Sequence, residues 1–315
     1  MSKQEIKVVF IGGAGRSGST LLDRVLGQGK GFVSVGEMYH IWQRGFIENQ
    51  LCGCGQPFRS CGFWQEVVNR VSEHVDISEP RAILALEKSV ARFRHLPMLV
   101  FPSLRPKEFS LMLREYANVL KSFYESIAGA AGSRVIIDSS KLAPHGLVLN
   151  EIPGIKVYVV HLVRDSRGVV FSLSRRKFRP EIVSKKVTMP VKSPLRGTAI
   201  WMFSNLATLL LAAKSDNYKV VTYESFSEDP KSAVQNIMTW TGEESDLSFF
   251  LEDHRVLLGV DHTVSGNPMR LLVNEAVDIK CDVEWMTEIP TLQKSLTKAV
   301  TLAIFEYLSR LEKKP

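Results

Sequence analysis

The sequence predicts an α/β fold, a central parallel sheet of about five strands flanked by helices, with a helical insertion between the second and third strands. Three observations carry that reading. Five short runs rich in Val and Ile are separated by helix-patterned segments. The first run passes directly into a glycine-rich turn. A long amphipathic stretch, about residues 61–130, interrupts the alternation after the second run. Strands alternating with helices imply parallel pairing with both sheet faces covered, because parallel strands need crossover connections that lie over the faces.

Taken in order, the strand candidates are Lys7–Ile11, Phe32–Val35, Arg134–Ile137, Lys156–Val163 and Tyr218–Thr222. Within the insertion, "LEKSVARF" and "FSLMLREYANVLKSFYESIAGA" repeat apolar residues at helical spacing. A further helix is predicted at about 195–215, and "LQKSLTKAVTLAIFEYLSRLEK" predicts an amphipathic helix near the C-terminus. The segments "RRKFRPEIVSKKVTMPVKSP" and "GVDHTVSGNPMR" are predicted loops over a site.

The chain has 315 residues, 45% of them hydrophobic, enough for one large α/β domain, and no linker divides it; a single domain over 1–315 is predicted. A formal net charge of +7 favours an anionic ligand without choosing one. A nucleic-acid role would rest on that charge alone and is not predicted. The start, "MSKQEIKVVFIGG", lacks a signal pattern, and the apolar stretch Leu206–Ala213 is short of the roughly 20 residues a membrane span needs, so a cytoplasmic protein without a membrane anchor is expected.

The chemistry concentrates at two places. In "GGAGRSGSTLLDRVL" the order of strand, glycine turn and helix start aims backbone N–H groups and the positive helix end at one point, where phosphate binds. Gly13 to Gly18 fit the spacing G-x-x-x-x-G-K-[ST], but Ser19 stands at the lysine position that triphosphate chemistry uses. Arg16 offers a cation from inside the loop, with Gly15, Ser17, Gly18, Ser19 and Thr20 as further phosphate contacts. In "VYVVHLVRDSRGVVFSLSRR" an apolar strand ends at Arg164, with Ser172 and Arg176 following. Four residues apart, these two share a face if both are helical, and with Arg164 they suit a second phosphate. The plainer alternative is a surface ion pair of Arg164 or Asp165 with neighbours.

At these two points the chain resembles the sulfotransferases that use 3′-phosphoadenosine-5′-phosphosulfate, in a bacterial-type form sharing features with the tyrosylprotein type. "GRSGSTLL" resembles their 5′-phosphosulfate loop, and Arg164 with Ser172 their 3′-phosphate motif. The likeness extends through "VSVGEMYHIW", "CGCGQPFRSCGFW", "VIIDSSK" and "VSGNPMR". It implies a P-loop-containing nucleotide-hydrolase-like fold, that donor as co-substrate with the 3′,5′-bisphosphate as product, no metal, and a hydroxyl or amine acceptor, expected to be a small molecule. It further implies that Arg16 contacts the sulfuryl group, Arg164 and Ser172 grip the 3′-phosphate, and Arg176 adds a basic contact. Glu37 in "VGEMYH" would deprotonate the acceptor, Lys141 in "DSSK" would meet the leaving phosphate, and Arg270 in "GNPMR" would cover the nucleotide. Oligomeric state is not legible.

The chemistry asks for the same residue types independently. A loose in-line transfer is catalysed by positioning and charge stabilisation, as in phosphoryl transfer. Arg16 and Lys141 can neutralise charge on the bridging oxygen, and an acceptor O–H needs a general base. His40, His145 and His262 compete with Glu37 for that role, whereas His161 lies in an apolar strand and is read as core. Trp42, Phe46, Phe63, Trp64, Phe93 and Phe101 are candidates for an acceptor pocket, core being the commoner fate of such residues. Cys52, Cys54 and Cys61 lack the C-x-x-C spacing and a nearby His of a zinc site, and are read as reduced thiols packing a tight turn. The alternatives of another class are a P-loop small-molecule kinase, which would need magnesium and ATP, and a nucleotide-binding module without turnover.

Overall fold

The structure is a computed structural model that describes residues 5–183 and 186–313. The polar start at 1–4, two positions within the predicted loop at 175–194, and the last two residues lie outside the described residues.

Strand β1 (Ile6–Gly12) runs through the glycine turn into helix α1 (Ser19–Leu26), and β2 (Phe32–Gly36) follows. The insertion then supplies α2 (Gly62–Ser72), α3 (Pro80–Val90), α4 (Leu96–Val100) and α5 (Lys107–Ala131). The chain returns to the sheet as β3 (Val135–Lys141), crosses by α6 (Ala143–Asn150) to β4 (Ile155–Val163), and continues through α7 (Ser166–Ser174) and α8 (Pro194–Ala212) to β5 (Asn217–Thr222). All five strands are parallel, in the order β2-β3-β1-β4-β5. This is the doubly covered sheet expected from the sequence.

Alternation along β1 divides the core. Val8 and Phe10 face the insertion helices, α6 and α8, whereas Val9 and Ile11 face α1 and a second helical layer that includes α9 (Tyr223–Glu228) and α10 (Pro230–Trp240). Successive strand side chains point to opposite faces, so a strand apolar on both is one covered on both. Beyond α10 the sequence reading identified no strands. The structure has a small antiparallel sheet there, β6 (Phe250–Glu252), β7 (Arg255–Leu258) and β8 (Glu275–Asp278), followed by α11 (Trp285–Glu288) and α12 (Thr291–Glu312). These strands are short and largely exposed, which leaves little alternation to read.

Helix α8, of 19 residues, is the one described helix long and apolar enough to cross a membrane; an 18-residue stretch of it has mean hydropathy 1.2 and is 39% buried. Its buried face carries Trp201, Asn205 and Leu211, and Phe203, Leu206 and Leu210 are exposed.

Two irregularities of register shape the C-terminal edge of the sheet. The β1–β3 pairing slips between Phe10 and Gly12, so that Gly12 faces Lys141, and the β2–β3 pairing slips between Ser34 and Gly36. Bulges re-aim side chains where pairing ends. Here the slips bring Lys141, the last residue of β3, and Glu37, the residue just beyond β2, to the same edge of the sheet.

Candidate active site

The glycine turn closes around left-handed backbone at Arg16 (φ 73°) and Gly18 (φ 89°). Gly18 precedes α1, and a Cβ there would lie 2.7 Å from the Tyr223 ring, so the turn and α9 meet at a distance only glycine permits. The backbone N–H groups at the start of α1 face the same cavity as Arg164, Ser172, Glu37 and Lys141, one of about 350 Å³. Two separately read motifs and the proposed base and cation therefore open on one space, within the range of small-ligand clefts.

Of the residues read from the sequence, Gly15, Arg16, Gly18, Ser19 and Thr20 line that space; Ser17 lies beneath it, 1% exposed, with its hydroxyl unpartnered. Arg164 is 5% exposed. It donates to the Arg16 carbonyl at 3.2 Å and the Asp282 carbonyl at 3.1 Å, pairs with the Asp282 carboxylate at 2.9 Å, and lies 4.4 Å from the Tyr223 ring centroid. Its Nε is buried without a partner. The ion pair thus joins Arg164 to Asp282, while Asp165 caps α7 through the Arg167 N–H and pairs with the Arg167 guanidinium at 2.5 Å.

Two of the predicted contacts are placed elsewhere. Helix α7 ends at Ser174 and the backbone is extended at Arg175, so Arg176 does not share a helical face with Ser172; it is exposed, and Lys177 lines the cavity instead. Arg270 is 0% exposed and donates to the carbonyls of Thr263 at 2.7 Å and Leu51 at 2.5 Å, behind the cavity wall that Gly266, Asn267 and Met269 form. Its role here is to join two loops. The loop bearing it is held to α1 by Arg24, fully buried, which pairs with Asp261 at 2.5 Å and donates to the carbonyls of Gly259, Met269 and Leu272. Asn267 N–H also donates to Thr20 Oγ1 at 3.0 Å.

Glu37 sits in a ring of donors. Lys141 Nζ donates to Oε1 at 2.5 Å, Ser265 Oγ donates to Oε2 at 2.7 Å, and His40 Nε2 and Arg44 Nη1 approach Oε2 at 3.6 and 3.7 Å. Burial pushes this carboxyl up, but Lys141, His40 and Arg44 outweigh burial and hold it well below the usual carboxylate range. His40 is driven down to about 4 by burial and by Arg44, against the pull of Glu37, and is a neutral imidazole near pH 7. Lys141 reaches Glu37 from a left-handed backbone position (φ 66°), a conformation unfavourable for a side chain with a Cβ and one that concentrates at functional sites.

Sequence reasoning missed Arg44, which lies in a π-helical turn, Ile41–Ile47, lines the cavity and hydrogen-bonds Ser265 Oγ. Single π turns are frequent at functional sites but leave no periodic signal. The competing histidines are accounted for. His145 is buried against Asp138 at 3.1 Å, His161 is buried between Tyr218 and Asn205 at 2.9 Å from each, and His262 lies among the three clustered cysteines. The last finding departs from the reading of thiols without a histidine neighbour.

Of the aromatic candidates, Trp42 and Trp64 are fully buried, Phe46 stacks on Trp42, and Phe101 is 54% exposed. Phe93 lines a hollow of about 280 Å³ with Tyr39 and Leu142, which follows Lys141 in the chain.

A family model described as "Sulfotransferase family" matches residues 8–246, from β1 to the loop after α10. The chain belongs to the sulfotransferase family. Its fold is the P-loop-like fold of these enzymes. The sulfotransferase domain of the Synechococcus PCC 7002 olefin synthase superposes over 96% of this chain and 97% of its own, with a TM-score of 0.51 and 20% identity. The sulfotransferase domain of the curacin biosynthetic pathway covers 97% and 99%, with a TM-score of 0.50 and 15% identity. No curated protein matches. Membership of the family implies sulfuryl transfer, and these identities carry the fold alone.

Proposed function

We propose that this sulfotransferase takes its sulfuryl group from 3′-phosphoadenosine-5′-phosphosulfate and passes it in line to a hydroxyl or amine of a small-molecule acceptor, the whole chain acting as one cytoplasmic unit. The observation that carries the reading is the convergence of the glycine turn, Arg164 with Ser172, and Glu37 with Lys141 on one cavity. The donor has two phosphate positions, and the chain offers two anion sites there. The residues fit: Ser17 Oγ and Arg164 Nε are buried polar atoms without a partner, and the start of α1 presents backbone N–H groups. Ser19 at the lysine position speaks for this donor over a nucleoside triphosphate.

In this reading the backbone N–H groups of the turn and Thr20 hold the 5′-phosphate, and Arg164, Ser172 and Lys177 hold the 3′-phosphate. Arg16 lies nearest the transferred group, and Lys141 neutralises charge on the bridging oxygen. Glu37 takes the acceptor proton. As Lys141 turns from Glu37 to the donor, the carboxylate loses its closest cation and becomes a stronger base, so donor binding prepares the base. Arg270 would act indirectly, by holding the loop that bears Asn267.

Calorimetry with the 3′,5′-bisphosphate and no added divalent metal tests the reading. Metal-independent binding, far tighter than that of ATP, is expected. ATP binding that is tighter and requires magnesium would assign the cavity to a kinase. Binding without label transfer from sulfate-labelled donor to pooled small molecules would assign it to a nucleotide-binding module.

A further inference from the structure

Away from that cavity, Cys52, Cys54 and Cys61 meet His262, which follows Cys61 by 201 positions. Each offers one ligand atom, and the four atoms lie within 4.8 Å of one another. Cys54 Sγ is 3.6 Å from Cys61 Sγ, and His262 Nδ1 is 3.3 Å from Cys61 Sγ and 3.8 Å from Cys52 Sγ. A tetrahedron with Zn–S of about 2.3 Å and Zn–N of about 2.0–2.1 Å has edges of about 3.8 Å between sulfurs and about 3.6 Å between sulfur and nitrogen. These three separations lie within about 0.3 Å of those edges, and no pair of the four atoms is more than 4.8 Å apart. They do not match a disulfide, whose sulfurs lie about 2.05 Å apart, and all four cysteines of the chain are free.

We propose that Cys52, Cys54, Cys61 and Nδ1 of His262 bind one structural zinc ion that fastens the loop of residues 51–61 to the loop of residues 259–272. With four protein ligands the coordination is complete, leaving no position for substrate, and none of the four lines the cavity. On binding, the three thiols give up their protons to solvent, and three thiolates with Zn²⁺ and a neutral imidazole carry one net negative charge. Arg270 is placed to balance it, since its guanidinium is buried on the carbonyls of Leu51 and Thr263, the neighbours of Cys52 and His262 in the chain.

The surroundings are built to hold these ligands in place. The Phe63 ring stacks on the His262 imidazole at 4.6 Å with 9° between planes, and Trp64 Nε1 donates to the His262 carbonyl at 2.9 Å. Outer contacts of this kind orient metal ligands. The cysteine loop turns back on itself through Cys52 N–H to the Gln56 carbonyl and Gly55 N–H to the Cys52 carbonyl. Gly53 N–H reaches the Thr263 carbonyl at 3.0 Å, and a Cβ on Gly53 would lie 2.0 Å from Asp261 Oδ1, so the two loops meet where no side chain fits. Three residues beyond His262, Ser265 donates to Glu37. The clasp thus supports the wall behind the proposed base, and it stands whether or not the donor reading holds.

The test is the metal content of the full chain purified under reducing conditions from zinc-supplemented cells. One equivalent of zinc is expected, released when a mercurial reagent titrates the thiols. Cobalt(II) in its place is expected to give the intense visible bands and thiolate charge transfer of a tetrahedral site. Cys54→Ser and His262→Ala should lose the metal, and Cys281→Ser, outside the cluster, should keep it. If the cluster variants do not fold, the wild-type cobalt spectrum decides alone. A chain with less than about a tenth of an equivalent of metal and no tetrahedral cobalt spectrum overturns the proposal. So does a six-coordinate spectrum, or zinc retained in full by both cluster variants.

Discussion

Lys141 and Glu37 stand 2.5 Å apart at the C-terminal edge of the sheet, Lys141 as the last residue of β3 and Glu37 just beyond β2, each following a slip in register. They are the cation and the carboxylate that the proposed transfer requires on opposite partners, one on the leaving group and one on the nucleophile. Their contact makes Lys141 the regulator of the carboxylate's charge.

The first prediction concerns Glu37→Gln, which keeps size and hydrogen bonding and removes basicity. Turnover is expected to fall by about 10²–10⁴-fold, the span of positioned general-base catalysis, with donor affinity nearly unchanged. Because Lys141, His40 and Arg44 hold the carboxyl well below its ordinary range in the free enzyme, the wild-type kcat/KM for the donor should show no acid limb from Glu37 above about pH 4, the ordinary value for Glu. His40, at about 4, should contribute none near its usual 6.5. A rate profile on any turned-over acceptor checks both points, and near-normal turnover of the Gln variant would remove Glu37 from the mechanism.

Arg164→Ala tests the second anion site. Loss of about 2–4 kcal/mol in binding the 3′,5′-bisphosphate is expected, as for removal of charge-assisted bonds. A strand-end arginine suggests a solvent-facing side chain, but this one is buried on Asp282 and Tyr223, so thermal stability should fall as well. Calorimetry beside a melting curve separates the two effects. Unchanged affinity in a folded variant would place the 3′-phosphate elsewhere.

Asp23 gives a prediction about stability. It is wholly buried behind the glycine turn, and burial raises its carboxyl to about 8 although Ser34 and Ser139 donate to it at 2.7 and 2.8 Å. A carboxyl whose folded value exceeds its unfolded value of about 3.9 favours folding most fully below that pH, and the benefit is lost as pH rises towards 8. Asp23→Asn should therefore match wild type at low pH and be more stable by at least about 1 kcal/mol near pH 9, a few degrees in Tm. Parallel melting curves across that range check the sign.

What the sequence disclosed follows from the range of each signal. The five strands and the glycine turn were legible because Val and Ile runs and glycine spacing are local. Nothing in the helical pattern signals the stop at Ser174, where the backbone turns extended and takes Arg176 off the face of Ser172. Arg270 read as a loop cation because burial on two distant carbonyls leaves no mark beside it. The histidine beside the cysteines is not legible in their own segment because His262 comes from a loop 201 positions beyond Cys61. Arg44 has no periodic partner in its π turn.

The last prediction uses the coupling of Lys141 to Glu37. Lys141→Met keeps most of the length of the side chain and removes its charge. Donor affinity and turnover should both fall, since the ammonium faces the phosphosulfate in ground and transition states alike. A second effect has a sign of its own. Lys141 is the largest of the charges that lower Glu37, and burial, which opposes it, stays. The carboxyl should therefore rise, and the residual activity of Lys141→Met should acquire an acid limb above about pH 4 that wild type lacks. Glu37→Gln placed in the same chain should abolish that limb along with the residual rate. Measuring kcat/KM for the donor against pH for the three variants, a quantity that reports the free enzyme, distinguishes a base tuned by its neighbour from two groups that only share a cavity. A Lys141→Met profile as flat as wild type would show that the ion pair does not control the base.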